Sequence, residues 1–187
     1  MKGKVLAIGL LLSAPLLFAD HKDAKGYERF VREIRHELVM LPYYGVFDNL
    51  TYKVDGYNVT LMGQVTRPTL KSDAERVVKN IEGVQKVTNN IEVLPLSPND
   101  DRIRRAAFRA IYGHTALNRY AFGAVPPIHI IVNNGKISLE GVVANEADKN
   151  IAGLQANGVP GAFGVTNNLR VENMGEDTRS RTKEEKK

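Results

Sequence analysis

The chain has 187 residues, 26 Lys and Arg against 21 Asp and Glu, a net charge of +5, 43% hydrophobic residues and no Cys or Trp. This composition excludes a wholly disordered chain. The absence of Cys excludes disulfides, thiolate metal sites, iron–sulfur clusters, a Cys nucleophile and a lipidated Cys.

Lys2 and Lys4 precede an apolar run from Val5 to Leu12, and Leu16-Leu17-Phe18-Ala19 follows an interruption at Ser13-Ala14-Pro15. Polarity then rises abruptly at Asp20-His21-Lys22-Asp23. The pattern predicts a secretory signal peptide over residues 1–19, cleaved after Ala19. An uncleaved anchor is the alternative, but about fifteen apolar residues fall short of the ~20 that a spanning helix needs.

Tyr27, Phe30, Ile34, Leu38 and Leu41 fall at helical spacing, and Pro42 ends that helix. Leu50-Tyr52-Val54 and Val59-Leu61-Gly63-Val65 alternate on either side of Asp55-Gly56, which predicts a β-hairpin. Thr66 or Thr69 caps a second predicted helix carrying Ala74, Val77, Val78 and Ile81, and Gly83 stops it. Val87, Asn89, Ile91 and Val93 then alternate as a third strand. Leu94-Pro95-Leu96-Ser97-Pro98-Asn99 is a short linker, stiffened by its two prolines.

A shift of 78 residues lays 23–93 on 101–171 without a gap. Phe30/Phe108, His36/His114, Gly45/Gly123, Leu61/Leu139, Gly63/Gly141, Gly83/Gly161 and Asn89-Asn90/Asn167-Asn168 are among the identical pairs. The second copy predicts a helix at 101–112 with Asp100-Asp101 as N-cap, strands near 128–133 and 136–143, a helix near 145–156 and a strand near 165–171. Asn133-Asn134-Gly135 is its hairpin turn. The chain therefore reads as two homologous domains, 24–94 and 100–172, joined by 95–99. A charged tail, expected to be disordered, occupies 173–187. The fold class is α+β: two αββαβ units, each a three-stranded mixed sheet packed on two helices.

Val59-Thr60-Leu61-Met62-Gly63-Gln64-Val65 followed by Gly83-Val84-Gln85-Lys86-Val87-Thr88-Asn89-Asn90-Ile91-Glu92-Val93 resembles a BON domain. Ile137–Val143 and Gly161–Val171 resemble it again. A leader followed by two such domains is similar to the periplasmic, osmotically induced members of that family. The resemblance implies a non-enzymatic module of the cell envelope that binds anionic phospholipid and supports envelope integrity or stress responses. With no Cys to lipidate, membrane contact would be peripheral, by a soluble periplasmic or otherwise exported chain. A periplasmic protein-interaction or chaperone-like role is the alternative. Sheet edges, the space between domains and Pro42-Tyr43-Tyr44 are its candidate surfaces.

No catalytic constellation, metal set or cofactor motif is found. His21, His36, His114 and His129 lack ligand spacing, with His36 and His114 expected at equivalent helix ends. Gly56 and Gly135 read as turns, Gly83 and Gly161 as helix stops, and Gly63 and Gly141 as places of close helix–strand approach. Asn58-Val59-Thr60 fits a glycosylation acceptor but falls in a strand. Nucleic acid is disfavoured by export and by the lack of an RNA-binding aromatic motif.

The charge is local. Removing Lys2 and Lys4 with the leader leaves 24 basic and 21 acidic residues, or +3. Residues 100–171 hold 8 basic and 5 acidic residues, which accounts for that +3. Arg102, Arg105 and Arg109 share one face of the predicted helix, beside Arg104, and Tyr112, Arg119, Tyr120 and Phe122 follow. Arg102, Arg105, Arg109, Tyr112, Arg119 and Tyr120 are the candidate lipid-binding residues.

Overall fold

The computed structural model describes residues 21–172, with side chains from residue 26. The expected leader and tail lie outside these residues. The first unit comprises α1 (His21–Val39), β1 (Asn49–Asp55), β2 (Asn58–Val65), α2 (Pro68–Lys79), β3 (Lys86–Asn89) and β4 (Glu92–Val93). The second comprises α3 (Pro98–Tyr112), β5 (Ile128–Asn133), β6 (Lys136–Val143), α4 (Glu146–Asn157), β7 (Gly164–Asn167) and β8 (Arg170–Val171). A 3₁₀ turn at Asn118–Ala121 lies between α3 and β5.

Each sheet is mixed, with the second hairpin strand at its centre. β1 pairs antiparallel to β2 from Asn49↔Gln64 to Asp55↔Asn58, and β3 pairs parallel to β2 from Asn58↔Lys86 to Leu61↔Asn89. β5, β6 and β7 repeat this order, with Ile128 opposite Gly141 as Leu50 is opposite Gly63. Alternation puts Val59, Leu61 and Val65, or Ile137, Leu139 and Val143, into the core beneath the helices. Phe30, Ile34, Leu38, Leu70, Ala74 and Val78 cover the first sheet. Ile103, Ala107, Ile111, Ala152 and Ala156 cover the second.

The third strand is interrupted where one was expected. The Asn89 side chain donates to the Lys71 carbonyl at 3.0 Å and accepts the Ile91 amide at 3.2 Å. Asn167 does the same with Lys149 and Leu169, at 2.8 and 3.2 Å. Each repeated asparagine thus breaks its strand and ties it to a helix. Close approach here also explains Gly153 inside α4: a Cβ would stand 2.8 Å from the Asn167 amide nitrogen. The equivalent Glu75 instead accepts from the Asn89 amide at 3.0 Å.

Several helix ends differ from expectation. α2 begins at Pro68 with no side-chain cap, because Thr66 turns to donate to Asp48 Oδ1 at 2.9 Å. The cap of α3 is Ser97, accepting the Asp100 amide at 3.2 Å, so the helix starts inside the expected linker. Asp100 is buried and accepts the Asn134 and Gly135 amides at 3.0 and 2.8 Å, locking the β5–β6 turn. Asn80 and Gly158 cap α2 and α4, so Gly83 and Gly161, at φ +94° and +89°, turn the loops beyond. His36 lies in the last turn of α1, but His114 lies past the end of α3 and accepts the Ala116 amide at 3.2 Å. The copies also slip by one residue in the first helix. Buried Phe30, Ile34 and Leu38 run in step with Ala107 and Ile111, not with half-buried Phe108.

The units meet through the segment leading into β1. The Ile130 amide on the outer edge of β5 donates to the Val46 carbonyl at 2.7 Å. Phe47 packs edge-to-face on Phe108 at 6.2 Å, and Tyr44 stacks on His129 at 5.6 Å. Asp48, 3% exposed, anchors the segment by accepting the Thr66 amide at 2.6 Å and the Gly45 amide at 3.2 Å. The covered strand β5 is buried from Ile128 to Val132, whereas β1 is exposed at alternate positions.

Gly63 and Gly141 have φ of +111° and +118°, and a Cβ there would overlap the Asn49 or Pro127 carbonyl oxygen. The close approach is therefore to the neighbouring strand rather than to a helix. Gly141→Ala is expected to destabilise the protein by roughly 3 kcal/mol, from strain plus backbone displacement. Gly56→Ala, at φ +58° with open space around the Cβ, should cost about 1 kcal/mol. Urea unfolding of the two variants measures the difference.

Candidate functional site

Helix α3 brings the basic residues together, but not all on one surface. Arg102, Arg105 and Arg109 are exposed along one face and form no salt bridge among the described residues. Arg102 donates to Asn99 Oδ1 at 2.8 Å and passes beside Gly161. Arg104 turns inward, 5% exposed, with Nη1 on Asp101 Oδ1 and Nη2 on the Val132 carbonyl, both at 2.6 Å. Its Nε has no partner among the described residues. Helical spacing separates Arg104 from the other three, and its burial follows from packing against β5.

The aromatic half of the sequence-predicted site is corrected. Tyr112 is buried and donates to the Ile128 carbonyl at 2.6 Å, so it braces α3 against β5. Burial pushes its phenol above the ordinary range and keeps it a donor. Tyr120 donates to Asp148 Oδ2 at 2.6 Å and accepts the Ala144 amide at 2.8 Å. Arg119 pairs with the same carboxylate and lies over the Tyr120 ring at 5.0 Å. Asp148 is 3% exposed, so Arg119 and Tyr120 satisfy a buried charge. Phe122 remains 81% exposed beyond them.

Two hollows flank α3 where the domains meet. One, of about 430 Å³, is lined by Phe47, Arg67 and Leu96 among others, together with Asp101, Arg104 and Arg105. The second, of about 320 Å³, is lined by Val46, Phe47, Arg105, Phe108 and Arg109. Arg67, from the first domain, stacks on Tyr43 at 4.7 Å. Periodicity gave no sign of Phe47, whose ring packs on Phe108 of the other domain, or of Arg67, whose partner Tyr43 lies far along the chain. No group of three His, Cys, Asp or Glu among the described residues is placed to hold a metal ion. No described helix is long and apolar enough to cross a membrane.

His129 sits beneath Tyr44 with Nδ1 buried and without a partner among the described residues. Burial lowers its pKa from 6.5, against smaller raising effects from the Gly45 and Asp48 backbone and the Asp48 and Glu140 carboxylates. Below about pH 6.5 the unfolded chain takes up a proton here that the folded chain refuses. Stability is therefore full above that pH and falls as pH drops toward the lowered folded value. His129→Phe keeps a ring under Tyr44 and should lose less stability between pH 7 and pH 5 than the parent, as measured by chemical unfolding at each pH.

The BON domain family matches residues 33–95 and 109–173, together more than half of the chain. No curated protein matches. Among solved structures, the chain is similar to CdsD, a structural protein of the type III secretion system of Chlamydia trachomatis. Identity is 14% and the TM-score 0.31, covering 82% of this chain and 97% of that one. A C-terminal domain of the same protein aligns at 14% identity and TM-score 0.28, covering 76% and 96%. BON domains are generally non-catalytic binding domains, and by the match to both halves this chain belongs to the BON-domain family, as a tandem member.

Proposed function

We propose that the chain is a non-enzymatic binding module of the cell envelope that attaches peripherally to anionic phospholipid and supports envelope integrity or stress responses. The observation that carries this reading is the row of exposed guanidinium groups at Arg102, Arg105 and Arg109. Half-buried Phe108 and Phe47 border that row and provide apolar surface between the charges. Each basic residue near an anionic membrane contributes about 1 kcal/mol, so three give reversible attachment of about 3 kcal/mol. Arg104 and Arg119 drop out of that count, being held by Asp101 and Asp148. Export, which this reading requires, rests on the leader at residues 1–19.

One observation favours a second reading as a protein-interaction module. Among the described residues no backbone segment pairs with the outer edge of β1, whereas the equivalent edge of β5 carries the Val46 segment. A partner strand could add there by main-chain pairing.

Flotation with phosphatidylcholine vesicles, with and without phosphatidylglycerol, tests the first reading. The parent chain should float only with the anionic lipid, and less at high salt. Arg102→Glu combined with Arg109→Glu should weaken binding roughly tenfold or more. Unchanged flotation of that double variant overturns the α3 face as the lipid surface.

A further inference from the structure

We propose that copies of this chain associate head to tail, with residues 122–125 of one copy docking on the outer edge of β1 of the next. The inference rests on the second reading above and names its partner. It follows from the repeat, because each side of this contact is the 78-residue counterpart of a contact that the chain makes within itself. Internally, the segment before β1 docks on the outer edge of β5 through Val46, Tyr44 and Phe47. A shift of 78 residues carries that segment to Phe122-Gly123-Ala124-Val125. Phe122 is 81% exposed there, and Gly123 and Ala124 are exposed with it, whereas the counterpart Tyr44 is half-buried against His129. The same shift relates β5 to β1. Tyr52 and Ile130 hold the same place in their hairpins, opposite Leu61 and Leu139, so the Tyr52 amide points outward as the Ile130 amide does. Val46 accepts from Ile130, but no backbone carbonyl among the described residues accepts from Tyr52 on that edge. One edge and one matching segment are thus left over, one on each unit.

Charge favours a second copy over an unrelated strand. Across the internal interface the Asn133 side-chain amide donates to Glu92 Oε1 at 3.3 Å. The counterparts of these residues are Asp55 and Arg170, both exposed and neither in a salt bridge among the described residues. The contact between a neutral amide and an acid within the chain becomes an acid–base pair between chains. The copied contact is weaker than its model. Thr51 and Lys53 stand where β5 has His129 and Ile131, and Phe30, the counterpart of Phe108, is buried in its own unit. A lysine on an edge strand limits uncontrolled pairing, so the association is reversible. Because the two copies contribute different patches, the contact leaves a free edge and a free segment at the ends and does not stop at two subunits unless a ring closes.

Analytical ultracentrifugation of the parent chain from about 10 μM to about 1 mM should show a mass that climbs with concentration past the dimer. Phe122→Asp should weaken association roughly tenfold, and Asp55→Arg or Arg170→Asp about threefold each. All three positions are exposed, so each variant should keep the parent's thermal midpoint. An equal mixture of the Asp55→Arg and Arg170→Asp chains should regain the parent's association, because every junction between unlike chains then pairs opposite charges. A parent that stays monomeric throughout, a Phe122→Asp chain that associates like the parent, or a mixture no better than its components overturns the proposal. Hydrogen exchange of the Tyr52 amide in dilute parent separates this failure from that of the broader reading. If the parent is monomeric and that amide exchanges freely, only the second copy is overturned and the edge remains available to another protein. If the amide is protected in the monomer, the edge is closed and both readings fall.

Discussion

An edge strand leaves a row of amides and carbonyls without partners, and β5 is such a strand. The Ile130 amide finds its acceptor in Val46, from the other domain, and the contact draws Phe47 against Phe108 and Tyr44 over His129. The segment can serve only because Asp48 holds it in shape, its carboxylate taken up by Thr66 and Gly45. Much follows from that placement. Both hollows beside α3 use Phe47 as a wall, and Arg67 shares one of them with Arg104 and Arg105 only while the domains stay docked.

The two copies solve one local problem by different chemistry. The amide after the central strand, Thr66 in one unit and Ala144 in the other, needs an acceptor. Asp48 supplies it in the first unit, the Tyr120 hydroxyl in the second. The Asp48 bond to Thr66 tethers the segment at residues 44–48, from which the Val46 carbonyl reaches across to β5. Tyr120, with Arg119, is also committed to the buried Asp148. The structural asymmetry of the pair grows from such substitutions inside an unchanged strand register.

The fold was legible because its signals are local. Alternation at Val59–Val65 and Ile137–Val143, helical stripes, and turns at Gly56 and Asn134-Gly135 each lie within one element. The ungapped repeat placed both sheets in register, although it missed the one-residue slip of the first helix, where volume rather than identity decides the fit. Capping was less legible: Thr66, Asp100 and Asp101 are all good caps by type, and only their neighbours decide what each one bonds.

The sequence alone determined the duplicated αββαβ architecture, the lack of thiol chemistry and the concentration of positive charge on α3. Tertiary structure alone decided which charges stay available. Arg104 points inward, Tyr112 is buried, and Arg119 and Tyr120 are held by the buried Asp148, while Arg67 and Arg105 line one hollow from the two domains. The physical reason is that periodicity reports which face of an element a side chain occupies. Whether a polar atom on that face is satisfied, buried or free depends on groups many residues away, brought close only by packing.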